Sequence, residues 1–221
     1  MATSTVEDYL KTILLKSTGD ELVSMGKIAE GLGVVPGTVT TMMKNLAEQA
    51  LIEHYPRQGV RLTERGRLIA LNVLRKHRLI ETFLVATLKM DWSEVHVEAE
   101  RLEHAISDAV LDRIDALLGN PETDPHGDPI PSRQGKLDTG IYDTLATCAI
   151  DAPVRMVRVT DQSSDFLQFA ERQKLIPGET IRVLTRTEVA GSVTVQLDNR
   201  QVVTLGFRQA GSIQVASAGT G

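Results

Sequence analysis

The amino-acid sequence predicts a mainly helical chain with a small β domain at its C-terminal end, and three observations support this fold class. Apolar residues recur at helical spacing as far as Leu118. A single pair of short β-prone runs, on either side of Pro56, interrupts this helical part. From Val154 onward, the apolar residues alternate with a period of two, which is typical of strands.

Three helices are predicted first. Val6 to Lys16 has apolar residues at helical spacing, and a break follows at Thr18-Gly19-Asp20. A short helix over Ser24 to Gly33 ends on glycine, and Val34-Val35-Pro36-Gly37 leads into a third helix over Thr38 to Ala47. Two short helices joined by a glycine-containing turn predict a helix-turn-helix.

A β-hairpin and a long helix come next. Leu51 to Tyr55 and Val60 to Thr63 are β-prone and flank Pro56-Arg57-Gln58-Gly59, in which Gly59 supplies the turn. A long helix then starts at Thr63 and runs to about Leu88. Helices, hairpin and helix in this order predict a winged helix.

Ser93 is a suitable N-cap for a further helix that runs to about Leu118. The apolar positions of this helix predict packing against the preceding helix or against a second subunit. Pro121 to Pro131 is a turn-rich loop, and Ser132 to Thr147 is typical of a linker.

The last part of the chain predicts a small SH3-like barrel. A short helix over Asp165 to Lys174 interrupts the strands, and Asp198-Asn199 is the clearest hairpin turn. The predicted strands are Val154 to Val159, Thr180 to Leu184, Ser192 to Leu197 and Gln201 to Leu205.

These patterns divide the chain into a winged helix (1–75), a helical domain (76–131), a linker (132–150) and the SH3-like domain (151–221). The net charge of -5 is unevenly distributed, because residues 76–131 carry 5 Lys and Arg against 12 Asp and Glu. Residues 1–75 carry 9 against 8. A face for phosphates and a site for cations can therefore lie in separate parts of the chain.

Several classes of protein are disfavoured. No apolar run approaches the roughly 20 residues that span a bilayer, and the N-terminus lacks a secretion signal. A single cysteine, Cys148, excludes an internal disulfide and a thiolate-rich zinc cluster. Neither a Gly-rich phosphate loop nor a His-Glu-x-x-His motif is present. We therefore expect a cytoplasmic protein without membrane partners, and not an enzyme.

The third helix is predicted to enter the major groove of double-stranded DNA. Its polar positions can contact bases, thymine methyls included, while Val39, Met42, Met43 and Leu46 form the apolar face. Lys27 and Arg57, at the tip of the wing, are natural phosphate contacts. The remaining predicted DNA-binding residues are Pro36, Gly37, Thr38, Thr40, Thr41 and Lys44.

Histidines and carboxylates recur at helical spacing in the acidic segment. His77 and Glu81 are four residues apart, and so are His96 and Glu100. Glu100, Glu103 and His104 are spaced to share one helical face. Such a set suits Mn²⁺, Fe²⁺, Co²⁺ or Zn²⁺, although a single pair of this kind is more typical of a solvated helix face. His126 in the Pro121 to Pro131 loop is interpreted as a turn residue rather than a ligand.

Five segments carry a resemblance that covers nearly the whole chain: Glu7 to Leu10, Ile28 to Glu30, Lys76 to Glu81, Glu103 to Ser107 and Pro125 to Pro131. With these segments the chain resembles the diphtheria toxin repressor family, which includes iron-dependent regulators and manganese transport regulators. The resemblance implies a homodimer that binds a palindromic operator when a metal ion is bound, and that mostly represses genes of metal uptake. It also implies that residues 76–131 are the helical dimerisation and metal-binding domain.

The resemblance also implies two neighbouring metal sites. One would use Asp8, Glu100, Glu103 and His104. The other would use His77, Glu81 and His96, with further ligands from the C-terminal domain near Gln162 and Asp165.

The ion follows from two positions in this resemblance. Iron-responsive members place Met and Cys where this chain has Asp8 and Glu100, whereas manganese regulators carry Asp and Glu there. Oxygen and imidazole ligands suit the harder Mn²⁺. Mn²⁺ is therefore the expected ion, with Fe²⁺ as the alternative and Co²⁺, Ni²⁺ or Zn²⁺ as substitutes in vitro. Lys11 stands where manganese regulators carry a second glutamate, so a closely spaced binuclear site is not expected.

Two alternatives from other classes stay open. A metal-dependent hydrolase could use the same histidines and carboxylates, but it would leave the winged helix unexplained. A metal-independent winged-helix adaptor would bind protein partners instead of DNA.

Overall fold

The structure, a computed structural model, describes residues 3–17, 19 and 21–218, so Thr18 and Asp20 of the predicted break lie outside the described residues. The helices are α1 (Ser4–Lys16), α2 (Met25–Leu32), α3 (Pro36–Glu48), α4 (Glu64–Ala86), α5 (Val95–Leu102), α6 (Asp108–Leu117), α7 (Ser164–Arg172) and α8 (Phe207–Gly211). The strands are β1 (Ile52–Tyr55), β2 (Gly59–Leu62), β3 (Asp143–Thr144), β4 (Pro153–Val159), β5 (Thr180–Thr187), β6 (Ser192–Leu197), β7 (Val202–Gly206) and β8 (Ile213–Ser217).

The chain divides into two compact units, each with its own apolar core. The first unit is formed by Met1–His77, Glu100–Leu111 and Ile130–Leu137. The second unit is formed by Arg78–Ala99, Asp112–Pro129 and Asp138–Gly221. None of the helices within the described ranges combines the length and hydrophobicity needed to cross a membrane.

The helix-turn-helix lies in the first unit. The Thr3 hydroxyl caps α1 by accepting from the amide of Val6, and the Ser24 hydroxyl caps α2 by accepting from the amide of Lys27. Pro36 stands at the start of α3, where its missing N–H removes no helical hydrogen bond. The inward faces of these helices form the core of the unit, with Leu10, Ile13, Ile28, Met43 and Leu46 fully buried.

The wing follows as an antiparallel hairpin of β1 and β2, in register from Ile52 opposite Leu62 to Tyr55 opposite Gly59. Gly59 has a φ of 144°, and a Cβ on it would lie 2.5 Å from the carbonyl oxygen of Val23. Glycine is therefore required here, both for its backbone conformation and for this close approach.

The helix predicted from Ser93 to Leu118 is two helices in the structure, α5 and α6. The amides of Ala105 and Ile106 both donate to the carbonyl of Leu102, at 3.0 Å, which closes a turn after α5. The Ser107 hydroxyl then accepts from the amide of Val110 at 3.4 Å and begins α6. Glu103 and His104 consequently lie in the turn and not on a continuing helical face.

The second unit contains an antiparallel six-stranded sheet in the order β3-β8-β4-β5-β6-β7. Alternate residues of its strands point into one core, which α7 and α8 also contact. The four predicted strands and the predicted helix are present. The sequence interpretation lacked β3, β8 and α8, which are five residues or shorter and carry weak periodicity.

The segment 132–150, predicted as a linker, contains part of the C-terminal sheet. Asp143 and Thr144 form β3 and pair with β8, while Leu145 and Cys148 are buried in the core of the second unit. The burial of two apolar side chains accounts for the order of this end of the segment. The predicted domain boundaries otherwise remain predictions.

Candidate functional site

The exposed face of α3 carries every residue that the sequence predicted for DNA contact on this helix. Val39, Met43 and Leu46 are fully buried on its other face, so the helix is held by an apolar contact and leaves its polar side free. Lys27 at the start of α2 and Arg57 in the wing turn are also exposed. The exposed residues of α3 are Pro36, Gly37, Thr38, Thr40, Thr41 and Lys44.

A cluster of three metal-binding side chains lies in the first unit. Asp8 on α1 and Glu103 and His104 after α5 offer ligand atoms that all lie within 4.8 Å of one another. His104 Nε2 is 2.8 Å from Asp8 Oδ1 and 3.4 Å from Glu103 Oε1. Two carboxylates and an imidazole at this spacing fit a divalent first-row metal ion. The structure thus brings together three of the four residues predicted for this site.

The fourth predicted residue, Glu100, lies beside this cluster in contact with a lysine. Lys11 Nζ is 2.7 Å from Glu100 Oε1 and 2.6 Å from Glu103 Oε1. Burial alone would lower the pKa of the Lys11 ammonium, but the charges and hydrogen bonds of Glu103 and Glu100 outweigh burial and raise it. Lys11 is therefore a buried cation among predicted metal ligands.

Burial and neighbouring charges shift the pKa values of His104 and Asp8 in this cluster. Burial opposes protonation of His104, but the hydrogen bond that its Nδ1 donates to Glu7 and the charges of Asp8 and Glu103 outweigh burial and raise the His104 pKa above 6.5. Burial raises the pKa of Asp8, against the lowering effects of His104 and Lys11. Without a metal ion, a proton on His104 therefore supplies positive charge to the carboxylates.

Glu103 is the most enclosed of these residues and is fully buried. Its Oε1 accepts from Lys11, and its Oε2 lies 2.6 Å from Nδ1 of His77, which is also buried. One predicted ligand of the other site, His77, thus contacts Glu103 in the first unit.

The remaining residues predicted for that other site lie in the second unit. His96 Nδ1 is 3.3 Å from Glu81 Oε1. Gln162 donates its side-chain amide to Asp128 Oδ2 at 2.7 Å, and Asp165 is exposed in the first turn of α7. The set of His77, Glu81, His96, Gln162 and Asp165 remains a prediction.

A second group of possible ligands in this unit was not predicted as a site. Glu81, Asp124 and His126 are all buried and offer ligand atoms within 4.8 Å of one another. His126 Nδ1 is 3.9 Å from Glu81 Oε2 and 3.8 Å from Asp124 Oδ1. Burial, followed by the charges of Asp128 and Glu81, raises the pKa of Asp124 well above its usual value.

The orientation of His126 fits a cation in this group. Its Nε2 is 2.9 Å from the carbonyl oxygen of Trp92, which only accepts, so Nε2 carries a proton. Nδ1 of a neutral ring then presents a lone pair to Glu81 and Asp124, and it has no hydrogen-bond partner among the described residues. A proton or a metal ion between the ring and these two acidic groups would satisfy this buried lone pair.

The loop that carries Asp124 and His126 is held closely against the sheet. Gly127 has a φ of 87°, and a Cβ on it would lie 1.9 Å from the carbonyl oxygen of Val157 on β4. Asp128 binds Arg158 of the same strand and lies 3.5 Å from Arg78 of α4. The sequence signals for this site were Glu81, which was predicted as a ligand through its spacing from His77, and His126, two residues after Asp124 in a loop rich in Pro and Gly.

Three known protein families match segments that together cover nearly the whole chain. Residues 1–60 match the family described as iron dependent repressor, N-terminal DNA binding domain. Residues 63–132 match the iron dependent repressor, metal binding and dimerisation domain, and residues 144–217 match the FeoA domain.

Individual proteins agree with these matches. The chain is 32% identical to the iron-dependent repressor IdeR of Mycobacterium leprae over 226 residues, with 96% of each protein covered. It is 28% identical to the diphtheria toxin repressor of Corynebacterium diphtheriae, covering 90% of this chain and 91% of that protein.

Solved structures also match over nearly the whole chain. A manganese-dependent transcriptional repressor in complex with manganese matches with a TM-score of 0.86 and 40% identity, over 96% of this chain and 99% of that one. IdeR of T. acidophilum matches with a TM-score of 0.76 and 28% identity, over 98% and 100%. The predicted fold class is confirmed.

Proposed function

The chain belongs to the diphtheria toxin repressor family of metal-dependent, DNA-binding transcriptional repressors that dimerise, and from this premise we propose that Mn²⁺ is its activating ion. Its targets are genes of metal homeostasis with palindromic operators. Fe²⁺ is the alternative ion, because relatives named for iron and for manganese both match along nearly the whole chain.

The chemistry of the ligand set at Asp8 carries the proposal. Asp8, Glu103 and His104 offer two carboxylates and one imidazole, and no sulfur atom. Such donors suit Mn²⁺, whereas thioether and thiolate ligands favour softer ions. The same donor set binds Fe²⁺ more tightly at equal concentration, so selectivity must be measured against free-ion concentrations.

The position of these residues supports a way of coupling metal to DNA binding. Asp8 belongs to α1, which packs against α2 and thus supports the helix-turn-helix, whereas Glu103 and His104 follow α5. When bound, a divalent ion would replace the proton of His104 as the positive charge between these carboxylates. Asp8 and His104 then hold α1 against the turn after α5.

This coupling requires the ion to bind the DNA-competent arrangement more tightly than any other arrangement. A coupling free energy of about 1–3 kcal/mol between metal and DNA would be typical. In a dimer, the two copies of α3 are then held at a spacing that matches successive turns of a palindromic operator.

A second cation site is part of the proposal, with two possible ligand sets. His77, Glu81 and His96, with Gln162 and Asp165, form the set that the sequence predicted. Glu81, Asp124 and His126 form the other set, which the lone pair of His126 Nδ1 supports. Glu81 is common to both.

The experiment is DNA binding by the full chain at fixed salt, with a chelator, with buffered Mn²⁺ and with anaerobic Fe²⁺. Fixed salt is essential because phosphate contacts make the affinity salt-dependent. We expect tight DNA binding only with metal. We also expect Mn²⁺ to produce it at a free Mn²⁺ concentration within the physiological range, and Fe²⁺ not to do so within its own physiological range. Asp8→Asn should abolish the response, and Glu94→Gln, which removes the same charge at an exposed position, should preserve it.

The other outcomes distinguish the alternatives. Equal DNA affinity with metal and with chelator would identify a constitutive DNA binder. Absence of DNA binding in both conditions would favour an adaptor for protein partners. Metal-dependent turnover of an ester or phosphate substrate would favour a hydrolase.

A further inference from the structure

Lys11 is the buried lysine of α1, with only 7% of its side chain exposed. Its ammonium lies 2.7 Å from Glu100 Oε1 and 2.6 Å from Glu103 Oε1, so it makes two short ion pairs. The Glu103 side chain is 0% exposed. Lys11 therefore neutralises a carboxylate that has no access to solvent, in a group that the proposed function assigns to a metal ion.

One oxygen atom of Glu103 lies where both the Lys11 ammonium and a divalent ion would contact it. Glu103 Oε1 is 2.6 Å from Lys11 Nζ and 3.4 Å from His104 Nε2, and His104 Nε2 is 2.8 Å from Asp8 Oδ1. A divalent ion held by Asp8, Glu103 and His104 would therefore lie near the Lys11 ammonium and share this oxygen with it. Two like charges at such short separation repel each other strongly where solvent is excluded.

We infer that Lys11 is a built-in competitor of the metal ion, one that holds Glu100 and Glu103 in the metal-free chain and lowers the affinity of the Asp8 site. This inference rests on the proposed function of that site. Lys11 in this way determines the free metal concentration at which the protein responds. A lysine suits this role because its single charge on a flexible stem can move away when a divalent ion takes the carboxylate oxygens.

The ammonium also has a structural effect that can be measured separately. Without Lys11, the buried Glu103 carboxylate would lose its counter-charge in the metal-free chain, which is strongly unfavourable. The metal-free fold of a Lys11→Met variant should therefore unfold at a lower temperature, and the gain in unfolding temperature on adding Mn²⁺ should exceed that of the wild type.

The test compares Mn²⁺ binding by Lys11→Met, Lys11→Arg and Lys16→Met in the full chain, measured by calorimetry and by competition with a chelator. Lys16→Met is the matched control, because it removes the same charge from the exposed end of α1. We expect Lys11→Met to bind Mn²⁺ at least about tenfold more tightly. Lys11→Arg, which keeps the charge, and Lys16→Met should stay within about twofold of the wild type.

A second measurement on the wild type covers the case in which Lys11→Met does not fold without metal. The reaction of Lys11 with an amine acylating reagent, followed by peptide mass spectrometry, should accelerate several-fold with Mn²⁺, because the displaced ammonium becomes accessible. An unchanged labelling rate would overturn the inference, as would Mn²⁺ affinity unchanged or weakened in a folded Lys11→Met. If the wild type bound no Mn²⁺ ion that the Asp8→Asn variant fails to bind, the proposed function would be contradicted instead.

Discussion

Nε2 of His104 lies 2.8 Å from Oδ1 of Asp8, so one of the two atoms must supply a proton when no metal ion is bound. Nδ1 of the same ring lies 2.7 Å from Glu7 Oε2, so both ring nitrogens face carboxylate oxygens. This geometry, together with a His104 pKa that is raised despite burial, favours the imidazole as the group that carries the proton. A metal ion bound by the same two side chains requires the neutral imidazole, because only an unprotonated nitrogen can act as a ligand. Metal and proton therefore compete for His104.

The first prediction follows from this competition. Mn²⁺ affinity should rise by up to about tenfold per pH unit as pH increases toward the folded pKa of His104, with one proton released per ion. The pKa of His104 is 6.5 in the unfolded chain and higher in the folded chain. The stabilisation that protonated His104 gives the metal-free fold is therefore complete below pH 6.5, and it is lost as pH rises through the folded pKa.

Calorimetry in two buffers of different ionisation enthalpy measures the proton release directly. Asp8→Asn should lose both the binding and its pH dependence. Mn²⁺ affinity that stays constant between pH 6 and 8 would contradict the role of His104 as a ligand.

The second prediction concerns Gly127, the glycine whose missing side chain lets the loop meet β4. Gly127→Ala should destabilise the second unit by at least about 2 kcal/mol, because it combines a positive φ with a steric clash. Gly119→Ala is the matched control, since Gly119 has a φ of 78° and no atom within 4 Å of a Cβ. Thermal unfolding of both variants separates the effect of the positive φ from that of the steric clash. Equal unfolding midpoints would show that the close approach of Gly127 to Val157 does not add to the loss of stability.

Much of the fold could be predicted because its elements carry local signals. The helical spacing of Val6 to Lys16, the glycine of the wing and the alternating strands after Val154 each depend on neighbours in the sequence. The break after α5 was missed because Glu103 to Ser107 contains no glycine or proline to mark it. Apolar periodicity alone continued through this turn.

The candidate site was only partly predictable from local signals. Glu103 and His104 were identified together with Asp8, which is distant in sequence, only through the family resemblance. The group of Glu81, Asp124 and His126 was missed because a loop brings Asp124 and His126 to Glu81, which lies more than 40 positions earlier in the chain. Periodicity carries no signal for such contacts, and a lone histidine between Pro125 and Gly127 is more often a turn residue.

The third prediction distinguishes the two possible ligand sets of the second cation site. If Asp124 and His126 hold the ion with Glu81, His126→Ala should lower the number of Mn²⁺ ions bound per chain by one, whereas His96→Ala should not. The exposed side chain of His96 makes it the matched control, since its replacement disturbs no core packing.

Equilibrium dialysis with elemental analysis counts the ions, and circular dichroism checks that both variants are folded. Loss of an ion in His96→Ala with an unchanged count in His126→Ala would favour the set that includes His77. The same count in both variants as in the wild type would argue against either set.

The fourth prediction concerns how α3 reads DNA. The Thr41 hydroxyl donates to the carbonyl of Gly37 at 3.2 Å, so its hydrogen is used within the helix and its methyl group is the better contact for a thymine methyl. Thr41→Val keeps a methyl at this position and should preserve the preference for the operator. Thr41→Ser should weaken operator binding by roughly 1 kcal/mol and leave non-specific binding unchanged.

Lys44→Met provides the contrast, because a phosphate contact has no sequence preference. It should weaken operator and non-specific binding alike and reduce the slope of log K against log salt by about 0.9. Titration of operator and scrambled duplexes at several salt concentrations, all at saturating Mn²⁺, measures both effects. If Thr41→Val lost as much operator preference as Thr41→Ser, the hydroxyl and not the methyl would be the reading group.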